Sequence, residues 1–181
     1  AIATQTFRGP GTDPNALQAF DARLISLSRA HNVLTEESWE GAELHAILAR
    51  VLGPHADPER LHVQGPPIRL SPKSALAIAM GMHELVTNAV KYGAFSNATG
   101  QVEVTWTVDG PSPGTLHLQW RESGGPAVRP PSRKGFGSRL IERSLAYDLD
   151  GQAKIEYRPE GVVCIVTSFL EPTEGPSGPL S

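Results

Sequence analysis

Leu17, Phe20, Leu24, Leu27 and Leu34, with His31 among them, recur at alternating spacings of three and four. That period puts them on one stripe of an amphipathic helix with coiled-coil spacing. Thr12 or Asp13, in the Gly/Pro turn at residues 9–14, can cap its start. The stripe fits packing on a second helix or on its own domain. Residues 39–52 predict a shorter helix, closed by Gly53-Pro54, and residues 61–64 and 68–70 predict short strands. Ser71-Pro72 opens the longest helix, because serine caps and proline suits the first helical position. It is predicted to run to about Tyr92 and to stop at Gly93.

Residues 101–108 and 116–121 read as strands, rich in β-branched residues and Trp, across a Pro/Gly turn at 110–114. Residues 123–137 form a Gly/Pro loop carrying Arg129, Arg133 and Lys134, and residues 138–149 a helix. Residues 153–157 and 162–169 form a closing hairpin, and the Pro/Gly/Ser-rich stretch 171–181 is expected to be disordered. Helices interleaved with mainly antiparallel strands indicate an α+β fold, with helices on one face of a mixed sheet.

Composition narrows the class without naming a chemistry. The 181 residues have room for one domain or one domain with an appendage. A formal net charge of -3 gives no basic footprint for nucleic acid. A single cysteine, Cys164, excludes an internal disulfide framework or a cysteine-rich metal site. No apolar run approaches the roughly 20 residues that span a bilayer, so no membrane contact is expected, and the expected compartment is the cytoplasm.

Three segments carry candidate chemistry. In His83-Glu84-Leu85-Val86-Thr87-Asn88-Ala89-Val90-Lys91-Tyr92-Gly93, helical spacing lines Glu84, Asn88 and Lys91 along one face. Ile78, Met82, Leu85, Val86, Ala89 and Val90 should pack on the sheet. The polar face suits a metal–polyphosphate site: an amide oxygen for Mg²⁺, a lysine for phosphate, a carboxylate to orient water or accept a proton. Taken alone, the segment better suits a solvated stripe with an ordinary i,i+4 hydrogen bond. In Trp120-Arg121-Glu122-Ser123-Gly124-Gly125-Pro126 a carboxylate leaves a strand end into glycines, which suits an adenine pocket. In Lys134-Gly135-Phe136-Gly137-Ser138 glycines lead into a helix start, whose free N–H groups attract phosphate. A tight entry turn would look the same.

Together and in this order, the three segments resemble the asparagine box and two glycine boxes of the ATPase fold shared by histidine kinases, gyrase, Hsp90 and MutL. More narrowly they resemble the HWE family of bacterial histidine kinases, through His83 in the asparagine box and Trp120 with Glu122 in the first glycine box. The few residues between Pro126 and Gly135 match that family's short lid, and residues 27–34 with 39–42 look like its linker after the dimerisation helices.

The resemblance implies a two-layer α/β sandwich of the histidine kinase/gyrase/Hsp90 type, with ATP and Mg²⁺ bound. Asn88 would ligate Mg²⁺, with Glu84 as the catalytic or metal-orienting carboxylate, possible also through water. Lys91 and Tyr92 would lie on the nucleotide. Glu122 would read adenine where most histidine kinases have Asp. Gly124 and Gly125 would shape the pocket, and Lys134, Gly135, Phe136, Gly137 and Ser138 would cradle phosphates. Cys164 falls near a strand position where relatives often place Thr against the base.

The implied activity is transfer of the ATP γ-phosphoryl to a histidine, then to the aspartate of a response regulator receiver domain. An upstream sensor domain and a homodimer are the implied partners. The expected organisation is a partial dimerisation region at 1–38, the ATP-binding domain at 39–170 and a tail at 171–181. None of the six histidines has the family's acceptor context, and residues 1–6 read like the far end of the acceptor helix, so the acceptor is expected upstream. The rival readings are an ATP hydrolase of the same fold and a regulatory module that binds nucleotide or dimerises without catalysis.

Overall fold

The computed structural model describes residues 42–128, 149 and 151–171. Its elements are β1 (Ala42–Glu43), α1 (Leu44–Leu52), β2 (Leu61–Gln64), β3 (Arg69–Leu70), α2 (Pro72–Lys91), β4 (Gln101–Asp109), β5 (Thr115–Ser123), β6 (Gly151–Arg158) and β7 (Gly161–Phe169). The predicted strands and the long helix are present at nearly the expected bounds. The first described helix is shorter than residues 39–52 suggested. Ala42 and Glu43 are extended and pair antiparallel with Leu70 and Arg69, and Leu44 N–H donates to Ile68 O at 3.0 Å. Ala42 and Leu70 are both buried, so this contact, remote in sequence, overrides local helical preference.

The main sheet has the order β2-β4-β5-β7-β6; β2 and β4 are parallel and the other pairs antiparallel. The register aligns Val104 with Trp120 and Trp106 with Leu118, then Trp120 with Cys164 and Leu118 with Val166. Alternation therefore gathers these apolar side chains on one face. They form a single core with Leu44, Ile47, Leu48 and Leu52 of α1 and Ile78, Met82, Leu85, Val86 and Ala89 of α2. The other face of β4 and β5 carries Glu103, Thr105, Thr107, His117, Gln119 and Arg121. This one-sided patterning belongs to an antiparallel sheet covered on one side. At the edge, β6 bears Lys154, Glu156 and Arg158; ion pairs to both cations hold the Glu156 carboxyl down at about 2. Charge on an edge strand discourages further strand pairing.

Glu122 interrupts the apolar pattern. It follows Trp120 by two residues, so it faces the core side, and it is only 4% exposed. A carboxylate in that place needs donors around it.

Candidate functional site

Helix α2 is fixed at its start by Ser71, whose hydroxyl accepts from Ser74 N–H at 3.4 Å, with Pro72 at the first helical position. At its end, Tyr92 and Gly93 N–H both donate to the Asn88 carbonyl, at 2.8 and 3.1 Å. Glu84 is half-buried, whereas Asn88 and Lys91 are exposed and Tyr92 is 74% exposed. The polar face expected from spacing is thus present and open at the helix end. Val90, expected against the sheet, is instead 40% exposed. It lies on the flank of the buried arc, roughly 100° from its middle at 3.6 residues per turn, where packing gives way to solvent.

The helix end is joined directly to the first glycine segment. Glu122 Oε2 accepts from Ala94 N–H at 2.8 Å, and Oε1 accepts from the Trp120 indole N–H at 3.2 Å. Burial raises the Glu122 pKa above the ordinary carboxylate value, partly offset by the hydrogen bonds from Ala94 and Trp120. The approach is close enough that a Cβ on Gly93 would sit 2.1 Å from Glu122 Oε2. Past Glu122 the chain turns through Gly124 at φ +66°, a conformation that disfavours a side chain. There the Gly124 carbonyl accepts from Asn97 Nδ2 at 3.0 Å and Thr99 Oγ1 at 3.2 Å.

The loop supplying these donors is itself held by Arg60, the residue just before β2. Arg60 Nε donates to Gly100 O at 2.8 Å, and Nη2 donates to Ala94 O and Asn97 O at 3.1 and 2.7 Å. Its guanidinium lies 5.2 Å from the centre of the Phe95 ring. Asn97 closes the loop internally, its Oδ1 accepting from Thr99 and Gly100 N–H at 3.1 and 2.8 Å.

The structure therefore brings Glu122, Gly124 and Gly125 beside the end of the helix that carries Glu84, Asn88, Lys91 and Tyr92. Cys164 is buried on the core face of β7, in register with Trp120. His83 is half-buried, its ring 5.7 Å from that of His55. Lys134, Gly135, Phe136, Gly137 and Ser138 lie outside the described residues, as do the stripe at 17–34 and most of the helix predicted at 138–149. Arg60, Ala94 and Thr99 were not legible as site residues, because their bonds reach across 25 to 40 positions of sequence. Asn97 did carry a signal: Asn-Ala-Thr-Gly is a turn-forming run in which an Asx side chain binds the backbone two residues on.

Among the described residues no group of three or more His, Cys, Asp or Glu is assembled that could hold a metal ion. One amide oxygen with a nearby carboxylate instead suits Mg²⁺ carried by phosphate, since that ion keeps several waters and takes few protein ligands.

Residues 1–67 match the profile of the HWE histidine kinases. Over 175 residues, 95% of its length, the chain is 37% identical to a blue-light-activated histidine kinase of Brucella ovis. By sequence, the chain is similar to the HWE histidine kinases. A blue-light-activated histidine kinase of Brucella anthropi is 39% identical over 167 residues, 90% of this chain. The chain spans about a third of these relatives, 36% and 34% of their lengths.

The fold agrees. The histidine kinase domain of the Erythrobacter litoralis EL346 blue-light activated histidine kinase superposes with a TM-score of 0.59 at 18% identity, covering 93% of this chain and 81% of that one. The catalytic domain of histidine kinase ThkA superposes with a TM-score of 0.54 at 17% identity, covering 72% and 96%. The α+β sandwich is thus that of histidine kinase catalytic domains.

Proposed function

We propose that this chain is the ATP-binding catalytic part of a two-component sensor histidine kinase. It transfers the γ-phosphoryl of ATP to a histidine, from which, in a longer protein, it passes to the aspartate of a response regulator receiver domain. The observation that carries this reading is the Ala94–Glu122 bond, which docks the open Glu84–Asn88–Lys91 helix end onto the glycine turn. One side of the junction offers phosphate and metal ligands; the other offers a buried acceptor for a base.

Within that reading each side chain has a task. Glu122 accepts from the exocyclic amine of adenine, and Gly124 and Gly125 leave room for the ring. Lys91 meets phosphate oxygens, and Lys134 to Ser138 supply further donors to them. Asn88, with Glu84 beside it, would hold Mg²⁺, which when bound neutralises phosphate charge. Glu84 orients the attacking group or accepts its proton. Phosphoryl transfer asks for little covalent chemistry from the protein, so positioning and charge carry most of the acceleration.

The six histidines of the chain lack the family's acceptor context, so the acceptor in this reading lies on a segment outside it. A homodimer through the stripe at 17–34, a sensor domain in the same chain and a cytoplasmic setting complete the proposal. Among the described residues no helix is long and apolar enough to cross a membrane. Calorimetry with ATP, in Mg²⁺ and in excess chelator, tests the reading. Tighter binding with Mg²⁺ is expected; equal affinity in both conditions would remove the metal role, and no binding in either would remove the reading.

A further inference from the structure

We infer that Trp120 is a positioning residue for nucleotide selection: its indole N–H holds the Glu122 carboxylate in the orientation that meets the exocyclic amine of adenine. The inference rests on the proposed base-reading role of Glu122 and assigns the residue that makes that role specific.

Trp120 and Glu122 are two apart on β5, so their side chains leave the same face of the sheet. Trp120 is fully buried, flanked in register by Val104 on β4 and Cys164 on β7. The ring cannot swing away without vacating the core, so its N–H is a fixed donor. Glu122 Oε1 takes that donor and Oε2 takes Ala94 N–H. Two donors from different elements, one on each oxygen, fix the carboxylate plane. A carboxylate offers about four acceptor positions, and two of them are used here. The remaining ones are then aimed before any ligand arrives, and a preorganised acceptor loses less conformational freedom on binding. Phenylalanine would fill most of the same core space yet donate nothing. Packing alone therefore does not account for the indole nitrogen being turned onto Oε1.

The test compares ATP with inosine triphosphate, which carries a carbonyl where adenine carries its amine, on the full chain with Mg²⁺. The wild type should prefer ATP by about tenfold or more, the penalty for facing a buried carboxylate with an acceptor. W120F should cut that preference by about fivefold to tenfold while leaving inosine triphosphate affinity unchanged. Removing the indole donor also makes the carboxylate harder to ionise, so the ATP preference of W120F should fade at a higher pH than that of the wild type. Benzothienylalanine at position 120, with sulfur in place of N–H, gives the same readout should W120F unfold early.

Equal weakening of both nucleotides, or an ATP preference left intact in both variants, would overturn the positioning role while leaving Glu122 as the base reader. A wild type with no preference would overturn the reading of Glu122 itself, and this inference with it.

Discussion

Glu122 and Ala94, 28 residues apart, are joined by a 2.8 Å hydrogen bond from the backbone N–H just past helix α2 to a buried carboxylate on strand β5. This bond converts two separate sequence segments into one surface. Its neighbours can be perturbed one at a time.

Gly93 is the tightest point. Its φ of -107° lies outside the left-handed region, and space is the main obstacle to a side chain there. A Cβ would fall 2.1 Å from Glu122 Oε2 and 3.0 Å from Ala89 Cα. G93A should lose about 2 kcal/mol or more of stability, the usual cost of overpacking. Shortening the facing side chain should recover part of the loss, so the G93A/E122A pair should be clearly non-additive in thermal melts. Wild-type melting in G93A would show that the contact is loose.

Ionising Glu122 in the fold is opposed by burial, so its folded pKa exceeds its unfolded one. Its stabilising contribution is full below the ordinary carboxylate value of 4.5 and is lost as pH rises through the higher folded value. The melting temperature of the wild type relative to E122Q should therefore fall as pH rises from about 4.5 towards neutrality. A difference that stays flat, or that grows with pH, contradicts the assignment.

Arg60 holds three carbonyls of the loop that presents Ala94. R60A should cost about 2–3 kcal/mol in urea unfolding, since charged donors, here to part-buried carbonyls, make the stronger kind of hydrogen bond. R60K should recover little, because an ammonium cannot span the fork. ATP affinity should drop in both variants, as the loop carrying Ala94 and Asn97 loosens.

Asn88 should matter only when metal is present. N88A is expected to weaken ATP about tenfold or more in Mg²⁺ and to leave binding in excess chelator unchanged. Loss of affinity in both conditions would assign Asn88 to the nucleotide or to folding instead.

Incubation with radiolabelled ATP should leave the chain free of acid-labile, alkali-stable phosphate, since no histidine in it has the acceptor context. Stoichiometric labelling would mean that one of the six histidines is an acceptor, and H31Q would be the first variant to make.

What the sequence determined by itself is local and periodic. Ser71-Pro72 fixed the start of α2, and the 3.6-residue period separated the Glu84–Asn88–Lys91 face from the buried one. β-Branched residues and Trp marked β4 and β5, the closing hairpin marked β6 and β7, and the order of the three candidate segments pointed to the HWE histidine kinases. Apart from that order, these depend on neighbours within a turn or a strand, where covalent geometry sets what can touch.

The tertiary structure decided the rest. Ala42 and Glu43 left the helix they were expected to join because Leu70 and Arg69 offered a strand partner. Val90 turned out exposed because it sits at the margin of the packed arc. Glu122, legible only as a carboxylate before glycines, acquired Trp120 and Ala94 as donors, and Arg60 became the clamp of a loop some 40 positions away. Such contacts arise when strand register and helix docking bring remote backbone atoms within hydrogen-bonding distance. No local spacing encodes them, because the free energy that selects them belongs to the assembled core.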